Sequence, residues 1–283
     1  MVKVGVHVSI AGGLDKAVGR AAEKGCDDFQ IFTRNPRGWS SRDLSPEEVQ
    51  RFSDKLKASG ITPAVDHMPY LPNLASPKDD VYSKSVETIS LELIRCGDLG
   101  IPYLVTHLGS HAGAGFEYGL SRIAGAVKEG LSRSSNGVML LLENTSGSKN
   151  SMGGSFKDIA AILGAVGSKR VGICLDTCHL FVAGYDVRTK EALEKTLQEL
   201  DDLIGMDRLR LLHLNDSKGA LGSNLDRHEH IGLGEIGEEG FAMMLAHEDL
   251  RNLPMVLETP VDARRDDIGN ILTVRMLASR SER

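Results

Sequence analysis

Short apolar runs recur along the chain, and six of them end in, or one residue past, a side chain able to bind a metal ion. AVDH ends at His67, YLVTH at His107, MLLLE at Glu143, GICLD at Asp176 and PMVLE at Glu258, while RLLHL carries His213. Successive members of this set lie 33 to 45 residues apart. Dividing 283 residues into eight equal units gives about 35 residues each, close to one strand plus one helix. Apolar runs of this length between polar segments read as buried parallel strands. The phrase helix–glycine–strand also repeats, as KASG before ITPAVDH and as DLG before IPYLVTH, which is the rhythm of β/α units. The pattern predicts the α/β class and a single (β/α)8 barrel. In such a barrel the six side chains converge on the rim at the carboxyl ends of the strands, where barrels of this kind place their chemistry.

In chain order the pattern predicts strands at 2–10, 28–32, up to His67, up to His107, 138–143, from Val171 to Asp176, 209–214 and 255–258. Helices are expected at 14–24, stopping at Gly25, then after Ser45-Pro46-Glu47-Glu48, at 80–99, 117–135 and 189–204, and at the carboxyl terminus. The segment from Glu143 to Gly154 reads as a Ser/Gly/Asn-rich loop, and another loop runs through Asp226-Arg227-His228 to Gly237. The loop after strand two, Thr33 to Ser40, holds two arginines and the only tryptophan, and the loop after strand three, Met68 to Leu74, is proline-rich. No low-complexity linker interrupts the rhythm, so residues 1–283 are expected to form one catalytic domain.

Composition changes this picture little. Apolar residues make up 41% and charged residues 25% of the chain, as in a soluble globular protein, and the sparse aromatics suit a barrel packed with Val, Ile, Leu and Ala. A net charge of −6 argues against nonspecific coating of nucleic acid, although cations bound at the rim would offset its acids. MVKVGVHVSI reads as a strand rather than a signal peptide, and no run approaches membrane-spanning length. Cys26, Cys96, Cys174 and Cys178 show no disulfide framework and are expected to pack in a reducing compartment. The expectation is a cytoplasmic protein without membrane association, and a monomer.

The candidate metal ligands are His67, His107, Glu143, Asp176, His179, His213, Asp226, His228 and Glu258. Imidazole with carboxylate and no thiolate suits zinc, manganese or iron in a hydrolytic site. Asp226-x-His228 places both side chains on one side of an extended segment. Nine groups are too many for one ion with four or five ligands. They suit two or three ions sharing a carboxylate, an arrangement that binds phosphate oxygens and lowers the pKa of water. A single strand-end histidine or acid serves as well in rim hydrogen bonding; the recurrence is what points to metal. His7 fits either a core histidine or a partner of a ligand, and His111, His230 and His247 read as partners or surface residues.

At these residues the chain resembles the endonuclease IV family, the apurinic/apyrimidinic-site repair nucleases built on a TIM barrel. The matching motifs are GVHVSIAGG (5–13), IFTRNPRGW (31–39), THLGSH (106–111), LLENTSG (141–147), CLDTCHLFVAGYD (174–186), LLHLNDSKG (211–219), DRHEHIGLGEIG (226–237) and LETP (257–260), in order across almost the whole chain. The resemblance implies three zinc ions, with manganese able to serve at one or more sites. It makes Glu143 the carboxylate shared by two ions, with His67 and His107 completing the first and Asp176, His213 and Glu258 the second. His179, Asp226 and His228 would hold the third. It further implies catalytic roles for Glu143 and Glu258, and DNA-penetrating roles for Arg37 and Tyr70. The implied substrate is double-stranded DNA with abasic sites, cut 5′ to the lesion to leave a 3′-hydroxyl and a 5′-deoxyribose phosphate, together with removal of 3′-blocking groups. Met68-Pro69, Pro72 and Pro36-Arg37-Gly38 depart from the family pattern in the two DNA-facing loops. The alternative is a xylose-isomerase-like metal-dependent sugar isomerase or epimerase, which needs neither the Asp226/His228 pair nor the Arg37 loop. A DNA-binding module without catalysis is disfavoured by the full ligand set and the acidic balance.

Overall fold

A computed structural model of the chain describes residues 2–280. Its parallel strands β1 (Lys3–His7), β2 (Phe29–Ile31), β3 (Ala64–His67), β4 (Tyr103–Thr106), β5 (Met139–Glu143), β6 (Val171–Asp176) and β7 (Leu209–His213) follow one another around a ring. The strand β10 (Pro254–Leu257) pairs with both β7 and β1 and closes it. Between β7 and β10, β8 (Asp216–Ser217) and β9 (His228–Glu229) form a separate antiparallel ribbon. The (β/α)8 barrel read from the spacing is therefore the fold observed.

The helices around it are α1 (Leu14–Glu23), α2 (Pro46–Ser59), α3 (Asp79–Leu99), α4 (Phe116–Arg133), α5 (Phe156–Val166), α6 (Thr177–Val182), α7 (Lys190–Leu203), α8 (Gly237–Ala246) and α9 (Asp267–Arg280). The expected start of α2 is present as a full capping box: Ser45 Oγ accepts from the Glu48 amide, and the Glu48 side chain accepts from the Ser45 amide, with Pro46 at the first position. Gly60 and Gly100 end α2 and α3 in the left-handed conformation that glycine adopts without strain. The sequence reading departs from the structure at several points. Helices α5 and α8 lie where the pattern predicts none, because the loops before them hide where the apolar periodicity resumes. Strand one stops at His7 rather than Ile10. The stretch after Asp176 is helical at once, because the Asp176 Oδ1 caps α6 by accepting from the His179 amide at 2.7 Å. The loop after β7 contains the β8–β9 ribbon. Among the described residues no helix is long and apolar enough to cross a membrane.

The core has two compartments. The larger lies between the outer strand faces and the helices. The smaller fills the barrel and consists of Val65, Val105, Leu141, Cys174, Leu211 and Val256, with Tyr103 and Met139 against it. Side chains alternate along a strand, so the residue two further on faces the same way. Two residues beyond those six come His67, His107, Glu143, Asp176, His213 and Glu258. The same step along β1 and β2 leads from Gly5 to His7 and from Asp28 to Gln30. Each of the eight barrel strands thus brings one polar side chain to the mouth of the barrel above an apolar plug.

Gly5 and Asp28 are a matched pair within that plug. A Cβ at Gly5 would lie 1.8 Å from the Asp28 carbonyl oxygen, so no side chain fits there. The Asp28 carboxyl is fully buried, accepts from the Met255 amide at 3.1 Å, and is pushed up to about 8 by that burial. Unfolded, it titrates near 3.8, so between these values the folded chain binds one proton more than the unfolded chain. Stability from this group is full below the lower value and is lost as pH rises through about 8. Thermal melts of Asp28→Asn should therefore show a gain over the parent that grows between pH 5 and pH 8; an equal gain at both would contradict the assignment.

Candidate metal centre

All nine sequence-predicted ligands converge at the mouth of the barrel, in three groups whose donor atoms lie within 4.8 Å of one another. The groups are His67, His107 and Glu143; Glu143, Asp176, His213 and Glu258; and His179, Asp226 and His228. Glu143 belongs to two of them. A fourth combination, Asp176, Cys178 and His228, meets the same limit. The Cys178 thiol is pushed up to about 12 by burial, which keeps it protonated and a poor donor beside the imidazoles.

Glu143 is the centre of the arrangement. Its carboxylate is fully buried, with His213 Nδ1 at 3.0 Å, His67 Nε2 at 3.2 Å, His107 Nδ1 at 3.4 Å and His179 Nδ1 at 3.5 Å. Burial alone would raise its pKa, but the surrounding imidazoles, His107 and His213 foremost, hold it well below the carboxylate range. Glu258 behaves alike: burial opposes ionisation, His213 favours it, and the carboxyl is held at about 2. Burial also works against a charged His179, yet Asp176, Asp226 and Glu143 together draw its imidazole up to about 10. His228 Nε2 is buried without a hydrogen-bond partner, 3.6 Å from Asp176 Oδ2 and 3.8 Å from Asp226 Oδ1. A buried nitrogen left bare between two carboxylates fits a cation bound among them.

Several supporting residues stand outside the set that the sequence singles out. Asn215 donates to Asp176 Oδ2 at 2.7 Å and accepts from the Glu258 amide at 2.8 Å. Asn144 accepts from the Asp176 amide at 2.7 Å and donates back to its carbonyl at 3.1 Å. Asp216 gathers five amides, from Ser217, Gly232, Gly234, Ile236 and Gly237, at 2.8–3.3 Å, folding the loop that carries Asp226 and His228. Each lies next to, or within three residues of, a ligand, so adjacency is the available signal. His7, open between two roles in the sequence, lies 3.1 Å from Gln30 Nε2, and burial drives its pKa down to about 4, so it stays neutral. His230 pairs with Asp262 at 3.0 Å, His111 accepts from the amides of Gly113 and Gly115, and His247 lies 3.7 Å from Glu194.

Of the two residues to which the resemblance gives DNA-penetrating roles, Tyr70 lines the cavity over this centre. Tyr70 is 61% exposed, its ring packs edge-on against Phe32 at 5.0 Å, and its amide donates to the Pro36 carbonyl at 3.1 Å, tying the two loops together. Arg37 is exposed at the tip of the neighbouring loop. The base of that loop is fixed by a buried charge cluster. Arg34 Nε meets Glu92 Oε1 at 2.6 Å, Thr33 Oγ1 donates to Glu92 Oε2 at 2.5 Å, and Arg95 donates to the Thr33 carbonyl at 2.6 Å.

Fold and centre together define a xylose isomerase-like TIM barrel that gathers imidazoles and carboxylates at its catalytic rim, and residues 18–274 match the family model of that description. The chain is 58% identical to "Probable endonuclease 4" of Methanoculleus marisnigri over 98% of its length and 99% of that protein. It superposes on the crystal structure of endonuclease IV from Thermus thermophilus with a TM-score of 0.85 at 35% identity, covering 99% of both chains. The chain belongs to the endonuclease IV family, whose members depend on metal. A D-tagatose 3-epimerase-like protein shares the fold at a TM-score of 0.76 and 19% identity, a likeness of architecture alone.

Because its acidic neighbours draw the His179 imidazole up to about 10, a cation binding beside it at neutral pH must displace a proton. Zinc titration of metal-stripped protein at pH 7 should release protons into a weakly buffered solution, and apparent affinity should rise with pH up to about 10. Uptake with neither proton release nor pH dependence would contradict this charge state.

Proposed function

We propose that the whole chain acts as one catalytic domain that cuts double-stranded DNA at the phosphodiester 5′ to an abasic site, leaving a 3′-hydroxyl and a 5′-deoxyribose phosphate. The endonuclease activity comes with the family. The observation that carries it is the division of nine donors into three adjoining groups, two of which share Glu143. That count suits three zinc ions, with manganese able to replace one or more. Bound zinc would supply Lewis acidity to phosphate oxygens and to water.

The chain's own residues do the rest. Glu143 offers one oxygen toward His67 and His107 and the other toward His213, so it would serve as a ligand in both of the groups it belongs to. Glu258 stays ionised and ready to ligate. A cavity of about 440 Å³ opens over the centre, walled by Phe32, Tyr70, Leu257 and Val261 on its apolar side, which can receive a flipped sugar. The missing base lowers the cost of unstacking that nucleotide, one source of selectivity. Arg37 and Tyr70, standing out from adjoining loops, would fill the gap left in the stack. Removal of 3′-blocking groups would use the same phosphodiester chemistry. A cytoplasmic monomer completes the reading.

A duplex carrying one synthetic abasic site tests it. Incision 5′ to the lesion by zinc-loaded protein, abolished by chelation and restored by zinc, is the expected outcome; metal-replete protein that leaves the duplex intact would refute the proposal. Glu143→Gln and Glu258→Gln should each lower the rate about 100-fold or more while the fold survives. Full activity in either would remove that residue from the site.

A further inference from the structure

Four of the histidines at the centre share one construction. Each turns one ring nitrogen toward the carboxylates and gives the other N–H to an acceptor behind it. His67 Nδ1 donates to the Met68 carbonyl at 2.7 Å, His179 Nδ1 to the Asn144 carbonyl at 3.0 Å, and His228 Nδ1 to the Glu258 carbonyl at 3.1 Å. His213 differs, because its Nε2 donates at 2.8 Å to a side chain, the Oε1 of Gln30. Backbone carbonyls survive any substitution; this acceptor does not.

Gln30 is fully buried on β2. Its amide can face only one way. The Nε2 lies 2.7 Å from Glu258 Oε1, and a carboxylate oxygen must be met by a donor, so Oε1 is left to face His213. The second Nε2 hydrogen is directed at His7 Nδ1, 3.1 Å away. One side chain therefore touches two of the four members of the Glu143, Asp176, His213 and Glu258 group.

We propose that Gln30 is a positioning residue for that group. It holds the His213 proton on Nε2, which leaves Nδ1 as the ligating nitrogen, and it ties back Glu258 Oε1 while Oε2 faces the centre, 3.6 Å from His213 Nδ1. Both residues it holds belong to this one group, so its influence falls on one ion of three. This inference rests on the three-ion reading of the site.

The test uses the full chain loaded with zinc. Gln30→Met keeps the length of the side chain but removes donor and acceptor. Chelator competition on the parent should resolve three bound equivalents. In Gln30→Met one equivalent should weaken about 10–100-fold while two hold as in the parent. In ¹⁵N-histidine spectra of the zinc-loaded parent, His213 should carry a slowly exchanging proton on Nε2 that the variant lacks. Should Gln30→Met not fold, Gln30→Glu puts the same question, because it loses the donor to Glu258 and sets a like charge beside it; its loss should again fall on one equivalent. Three equivalents unchanged, or three weakened alike, would overturn the inference while leaving the three-ion reading in place. A parent that binds fewer than three would sink both.

Discussion

A carboxylate removed from water survives only when its charge is met, and Glu143 is removed completely. Four imidazole nitrogens approach it at 3.0–3.5 Å, drawn from β3, the end of β4, the start of α6 and β7. The remaining geometry of the rim follows from meeting that demand. Imidazoles need carboxylates in turn, and Asp176, Asp226 and Glu258 supply them within the same few ångströms. The result is a dense lattice of acids and bases over an apolar plug, which has more donors than one ion can use. Such a lattice favours cations, because they neutralise the acids without the protons that otherwise hold the site together.

The barrel and six of the nine donors are legible in the sequence because both obey simple periods. Strand alternation fixes which residues face the axis, and Val65, Val105, Leu141, Cys174, Leu211 and Val256 point to the ring two residues later. His179, Asp226 and His228 lie outside the barrel strands and come from local spacing and family resemblance. Gln30 obeys the same alternation and still escapes a sequence reading, because an amide does not look like a ligand. Helices α5 and α8 escape it for another reason: each starts straight after a glycine-rich loop whose tertiary anchors, such as Asp216 beneath Gly232–Gly237, cannot be seen in one stretch of sequence. The β8–β9 ribbon is two residues per strand, too short to leave a period.

Rigidity at the rim is built from behind. Asn144 and Asn215 brace Asp176 from two sides, Asp216 folds the loop of Asp226 and His228, and the Arg34–Glu92–Arg95 cluster roots the loop of Arg37. Buried polar networks of this sort cost desolvation, and they hold a geometry only when nearly every member is satisfied. Here the supported elements are the ones that carry the nine converging donors and the loop of Arg37. A related barrel with only its fold in common could keep the plug and lose all of this, which is why architecture alone does not separate a nuclease from an epimerase.

The most direct measurement is anomalous diffraction at the zinc edge from crystals of the zinc-loaded protein. Three peaks are expected above the barrel mouth, two of them flanking the Glu143 carboxylate and the third beside His179, Asp226 and His228. A single peak, or peaks away from Glu143, would contradict it.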